Sequence, residues 1–190
     1  GQNLFGRLTQ NASWGLGALL SITACDLPEE EFNRLSNLPS RVFYGVNDDA
    51  LLIEGTVILR GEDPLTTIID GNNEGTAIKQ VLRVNAGARA EISGVTVQGG
   101  SNTSDSFSDG VGIGSQADYL KLSNCIVKNN LANFNNVNGA GFYHYNLSSE
   151  VIIENCVFEG NDNTLWSGGG AELYAESGQI TASQFINNTA

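Results

Sequence analysis

The sequence predicts an all-β fold, a parallel β-helix wound in coils of about 24–31 residues, with a short helical segment near the N-terminus. Three observations carry this. First, four segments share one pattern and start at Ile92, Leu122, Ile153 and Ile180. Each has an aliphatic residue first, then Val95, Cys125, Cys156 or Ser183 three positions later, and Val97, Val127, Phe158 or Phe185 five later. Second, Gly100, Asn130, Asn161 and Asn188 follow at the eighth position. Third, the paired glycines Gly110-Gly112, Gly139-Gly141 and Gly168-Gly170 recur upstream at the same interval. Self-similarity at a period of this size marks a solenoid, whereas a β-sandwich has no reason to repeat one residue at one phase.

Each repeat is read as strand, bend, strand, turn. Cys156 and Phe158 are two apart, so one face of a short strand carries both. Asn124-Cys125 recurs as Asn155-Cys156, and Asn tolerates the left-handed conformation of a sharp bend. Glycine at a fixed phase marks a turn or a close approach of neighbouring backbones. Stacked about 4.8 Å apart, such strands pair along the axis and share one core. The asparagine column is then able to hydrogen-bond from coil to coil.

The pattern resembles the right-handed parallel β-helix repeats of the pectate-lyase-like class. It is most similar to the polymorphic outer-membrane-protein type, whose repeats combine Phe-x-x-Asn with Gly-Gly-Ala-aliphatic. Here Phe158 and Asn161 are followed by Gly169-Gly170-Ala171, and then by Phe185 and Asn188. Glu172 stands where the aliphatic residue is expected. The run Val81–Gly100 resembles the first coils of large bacterial surface β-helices. The resemblance covers roughly Ile58 to Ala190 and implies the right-handed fold. It leaves activity open, since the scaffold carries lyases, hydrolases, adhesins and inert stalks.

In chain order, residues 1–25 form an apolar run from Trp14 to Ala24 that ends in Ile22-Thr23-Ala24-Cys25. Its length and small residues suit a lipoprotein-type signal peptide with lipidation at Cys25, or an apolar cap over the end of the solenoid. Residues 26–40 suit one short helix or linker: Asp26 is a fitting N-cap, Pro28 fits the first turn, and Pro39 ends it. Residues 41–190 supply the coils, which are expected to continue beyond Ala190 or to self-associate through that end. Asp70-Gly71-Asn72-Asn73 is a turn, and it is the place where calcium binding is conceivable.

Three insertions interrupt the coils: 101–109, 131–138 and 161–167. Insertions on one side of a solenoid are where function concentrates. Phe134 and Trp166, with Tyr143 and Tyr145 on the neighbouring coil, are candidate sugar-stacking residues; equally, Phe134 and Trp166 are suited to covering a core edge. Asp105, Asp109 and Asp118 are the candidate carboxylates for a hydrolase, which needs two on facing positions, although Asp is also a common turn former. A lyase of this class needs a basic residue, and Arg83, Arg89, Lys121 and Lys128 are what the chain offers. His144, the single histidine, alternates with Tyr143 and Tyr145 in a strand and is a weak candidate base. No zinc spacing, phosphate loop or nucleophile elbow is present, so neither a metal centre nor a cofactor is expected.

The net charge is −12, and Lys128 is the last basic residue. Such a surface repels nucleic acid, anionic lipid and polyanions such as pectate unless a cation bridges. Cys125 and Cys156 share one phase and should be neighbours, either as buried thiols or, if their Cβ atoms come within reach, as a disulfide. The expected function is a non-catalytic extracellular or cell-surface segment, adhesive or structural, of a bacterial envelope protein, lipid-anchored at the outer membrane where Cys25 is lipidated. Its expected partners are polysaccharide or host-surface glycans. The alternatives are a carbohydrate-active lyase or hydrolase, and a carbohydrate-binding module.

Overall fold

A computed structural model describes residues 21–24, 43–44, 50–71, 80–102 and 109–190. They form a parallel β-solenoid of about four turns. The expected helix within 26–40 and the lipidation site Cys25 lie outside the described residues, as do Asp105, Asn72 and Asn73.

Every coil visits the same faces in the same order. The first face stacks Leu51–Ile53, Leu82–Val84, Ile113–Ser115, then the first halves of the long strands Phe142–Glu154 and Ala171–Thr181. The second face stacks Thr56–Arg60, Arg89–Ser93 and Tyr119–Ser123 against the second halves of the same long strands. A third face runs from Phe43–Tyr44 through Ile68–Asp70, Thr96–Gln98, Ile126–Lys128 and Val157–Glu159 to Gln184–Ile186. Ser101–Asn102 and Leu131–Ala132 add a short fourth ledge, extended by bridges to Asp162 and Thr189. All these pairings are parallel. Ser21–Ala24 alone among the described strands runs antiparallel, along Thr56–Arg60.

The period-two alternation read from the sequence sets the register. Leu59, Ile92, Leu122 and Ile153 are partners in successive coils of the second face, and all are buried. Ile69, Val97, Val127 and Phe158 form the matching column on the third face. Phe185 continues it, its ring stacked 4.8 Å from that of Phe158 and only 6° from parallel. A one-residue slip would turn a whole column outward, so burial locks the stack.

The bend between the second and third faces carries a positive φ in successive coils: 64° at Gly94, 51° at Asn124, 52° at Asn155 and 48° at Ala182. Asn155 Nδ2 donates to Asn124 Oδ1 at 3.3 Å, so the bend residues also link coil to coil. Inside the third turn a second ladder forms. Asn130 Nδ2 donates to Asn161 Oδ1, and Asn161 Nδ2 to Asn188 Oδ1, each at 2.9 Å. The same amides cap the carbonyls of Val97, Val127 and Phe158. A Cβ at Gly112 would lie 2.4 Å from the Gly141 carbonyl oxygen and 2.7 Å from Asn130 Nδ2. The glycine column and the asparagine column are therefore two halves of one packing solution.

Candidate functional site: a tyrosine and carboxylate face

Outward positions on the first face alternate with the core. Ile113, Phe142 and Ala171 occupy one row, and Gly114, Tyr143 and Glu172 the next. Phe142 is fully buried, while Tyr143 and Glu172 are half-buried on the outside. Two residues on, Tyr145 and Tyr174 are again partners and point outward, 48% and 43% exposed. Tyr174 is the hub: its ring lies 6.2 Å from Tyr143 and 5.6 Å from Tyr145, both inclined.

The turns that follow the insertions fold onto this face. Asn138 and Ser167 sit at corresponding phases of successive coils, each just before the first glycine of its pair. The Asn138 backbone N–H donates to Asp109 Oδ1 at 2.7 Å, and its Nδ2 donates to the same oxygen at 3.2 Å. Ser167 Oγ donates to Glu172 Oε2 at 2.7 Å and lies 3.2 Å from Asn138 Oδ1. Tyr174 OH donates to Glu172 Oε1 at 2.7 Å. A polar chain thus runs from Asp109 through Asn138 and Ser167 to Glu172 and the tyrosines. Gln80 Nε2 also donates to the Asp109 carbonyl, across the surface of Gly114, where a side chain would collide with it.

The electrostatics follow from that crowding. Burial, offset by the Asn138 hydrogen bonds and reinforced by the charge of Glu172, raises the Asp109 carboxyl above its ordinary pKa. Burial and then the charges of Asp109 and Glu172 push the Tyr143 phenol up to about 12. The hydrogen bond to Glu172 likewise raises Tyr174. The two tyrosine shifts keep the proton on the phenol, so both phenols remain hydrogen-bond donors. No lysine or arginine among the described residues forms an ion pair with Asp109 or Glu172.

The other sequence candidates are dispersed. His144 shares the strand with the tyrosines but points inward and is fully buried. Its Nδ1 is 3.0 Å from Ser115 Oγ and its Nε2 is 2.7 Å from Ser149 Oγ. Ser149 Oγ donates to the Asn146 carbonyl at 2.6 Å, so Nε2 carries the proton that Ser149 accepts, and Nδ1 accepts from Ser115. One neutral tautomer satisfies the network, and burial lowers the His144 pKa to about 4. No substrate reaches it. Asp118 sits at the corner, accepting from Asn146 Nδ2 at 3.1 Å. Phe134 packs against a small second core of Val111, Ala132, Val137 and Ala140 beneath the insertions. Trp166 is 50% exposed and adjoins Ser167 in sequence.

Cys125 and Cys156 are both free and buried. Cys125 Sγ donates to the Ser123 carbonyl and Cys156 Sγ to the Glu154 carbonyl, each at 3.3 Å. Contact with Cys156, then burial, raises the Cys125 thiol. Asp70 accepts from Gln98 Nε2 at 2.7 Å, and among the described residues no three His, Cys, Asp or Glu side chains gather to hold a metal.

Glu172, Tyr174, Asn138 and Ser167 were not singled out as site residues from the sequence. The signal for Tyr174 was present: Tyr145 and Tyr174 are 29 residues apart, the same interval as Gly139 and Gly168. Comparison of the chain with protein-family models, curated proteins and solved structures finds no match.

Proposed function

We propose that this chain is a non-catalytic β-solenoid of the bacterial cell surface or extracellular space, which holds glycans on its tyrosine face. The observation that carries the reading is the outward cluster of Tyr143, Tyr145 and Tyr174 beside the carboxylates of Asp109 and Glu172. Aromatic rings offer apolar faces to sugar C–H groups, and the carboxylates accept hydrogen bonds from hydroxyls. Fixed on strands rather than loops, the three tyrosines and Glu172 lose little freedom on binding.

A lyase reading finds no lysine or arginine paired with Asp109 or Glu172 among the described residues. Lys121 is paired with Glu154 at 2.9 Å on the second face, and Arg89 lies 4.8 Å over the Tyr119 ring there. Arg83 Nε donates to Asn85 Oδ1 in an earlier coil. Lys121 and Arg89 are thus engaged on the second face, while Arg83 lies on the first face in register with Gly114, two coils before Tyr143. The finer assignment, to the polymorphic outer-membrane-protein type, rests on the Phe-x-x-Asn and Gly-Gly-Ala motifs, and surface display follows from that likeness.

A glycan-array and polysaccharide-depolymerisation screen of the whole chain, with and without calcium, tests the proposal. Binding without release of reducing or unsaturated ends is expected. Turnover would replace it with the hydrolase or lyase reading, and absence of binding by a folded chain would leave a purely structural coil stack.

A further inference from the structure

We propose that the glycan held on this face is a cationic one, a polymer of amino sugars with free amines; this rests on the glycan-binding reading above. Three observations point the same way. Asp109 and Glu172 are joined through Asn138 and Ser167 by hydrogen bonds of 2.7 to 3.2 Å, yet no lysine or arginine among the described residues pairs with either. Tyr143, Tyr145 and Tyr174 cluster beside Glu172, and aromatic ring faces attract cations electrostatically. Beyond Lys128 the chain contains no lysine or arginine at all, while Glu150, Glu154, Glu159, Asp162, Glu172 and Glu176 follow. Glu154 is paired with Lys121 on the second face, so the charge that a ligand docked on the first face meets is that of Asp109 and Glu172.

A neutral sugar would gain from the rings and hydroxyl hydrogen bonds but would leave that charge uncompensated. An ammonium group donates charge-assisted hydrogen bonds to a carboxylate, roughly twice as strong as neutral ones. With its amine beside Glu172 and its ring face on Tyr145 or Tyr174, an amino sugar satisfies both features of the surface. A uronic-acid polymer is repelled by the same charges.

The test is calorimetric titration of the whole chain with a glucosamine hexamer, the matching N-acetylglucosamine hexamer, and an oligolysine of equal charge. The glucosamine hexamer should bind at least about ten-fold more tightly than the acetylated one, and more weakly as salt is raised. Glu172→Gln should remove most of that preference with the melting temperature kept, and Tyr145→Ala should weaken both hexamers together. Equal or tighter binding of the acetylated hexamer would overturn the cationic ligand while leaving the glycan reading in place. Binding of neither hexamer would overturn both. Oligolysine binding as tightly as the glucosamine hexamer would also overturn the inference, since charge alone would then account for the attraction.

Discussion

At the scale of single residues, two of the polar places in the interior are closed by hydrogen bonds. Asn161 is fully buried and serves both neighbouring coils. Asn161→Ala would remove the shorter partner of the Asn130 amide and the amide that caps the Val127 carbonyl. The cost should be about 2–3 kcal/mol, read as a fall in Tm of roughly 4–12 °C for a domain of this size. His144 is the second place. Its folded pKa of about 4 lies below the ordinary value of 6.5. Between those values the unfolded chain binds a proton that the folded one refuses, so stability falls as pH drops through this window. The full loss is about 3 kcal/mol, and most of it precedes carboxylate titration. Denaturation at pH 7 and pH 5 should show the difference in the parent chain and a much smaller one in His144→Gln.

At the scale of the coil, the bend decides the geometry. Ala182 takes a φ of 48° at the phase where other coils use Gly94, Asn124 and Asn155. A left-handed conformation costs an ordinary L-residue about 1–2 kcal/mol. Ala182→Asn should therefore stabilise the chain by about 0.5–1 kcal/mol, and should extend the amide link between Asn124 and Asn155. Denaturant midpoints of the two proteins give the comparison. Phe158, fully buried and stacked on Phe185, is the opposite case. Phe158→Asp should unfold the array, because a carboxylate there has no partner to offset its desolvation; loss of the far-UV strand signal reports it. These elements were legible in the sequence because the packing is translational. A residue that suits one coil at a given phase suits the next, so Cys125 with Cys156, and Asn130 with Asn161, announced the register directly. The tyrosine face was half legible. Tyr143 and Tyr145 were visible as alternating aromatics, but Glu172 read as a departure from a motif, and the hydrogen bonds of Asn138 and Ser167 arise only once coils stack. Phe134 carried no signal to separate a binding aromatic from one covering the second core.

Across the whole molecule, exposed aromatic rings and a carboxylate meet on the first face of the C-terminal coils, where Tyr174 donates to Glu172. The earlier coils carry the lysines and arginines, several of them tied into contacts such as Lys121–Glu154 and Arg89 over Tyr119. The later ones carry carboxylates, and Tyr145 and Tyr174 stand beside them on rigid strands. The solenoid fixes the spacing of these groups, so the surface exists before any ligand arrives and binding needs little reordering. The central claim is that this face, and not the buried His144, is where the chain meets its ligand. The most direct measurement compares the parent chain with the double variant Tyr145→Ala/Tyr174→Ala on the same glycan array, with thermal melts alongside. The account predicts that the melting temperature changes little, since both rings are exposed, while glycan binding is lost. Undiminished binding by the folded double variant would contradict it.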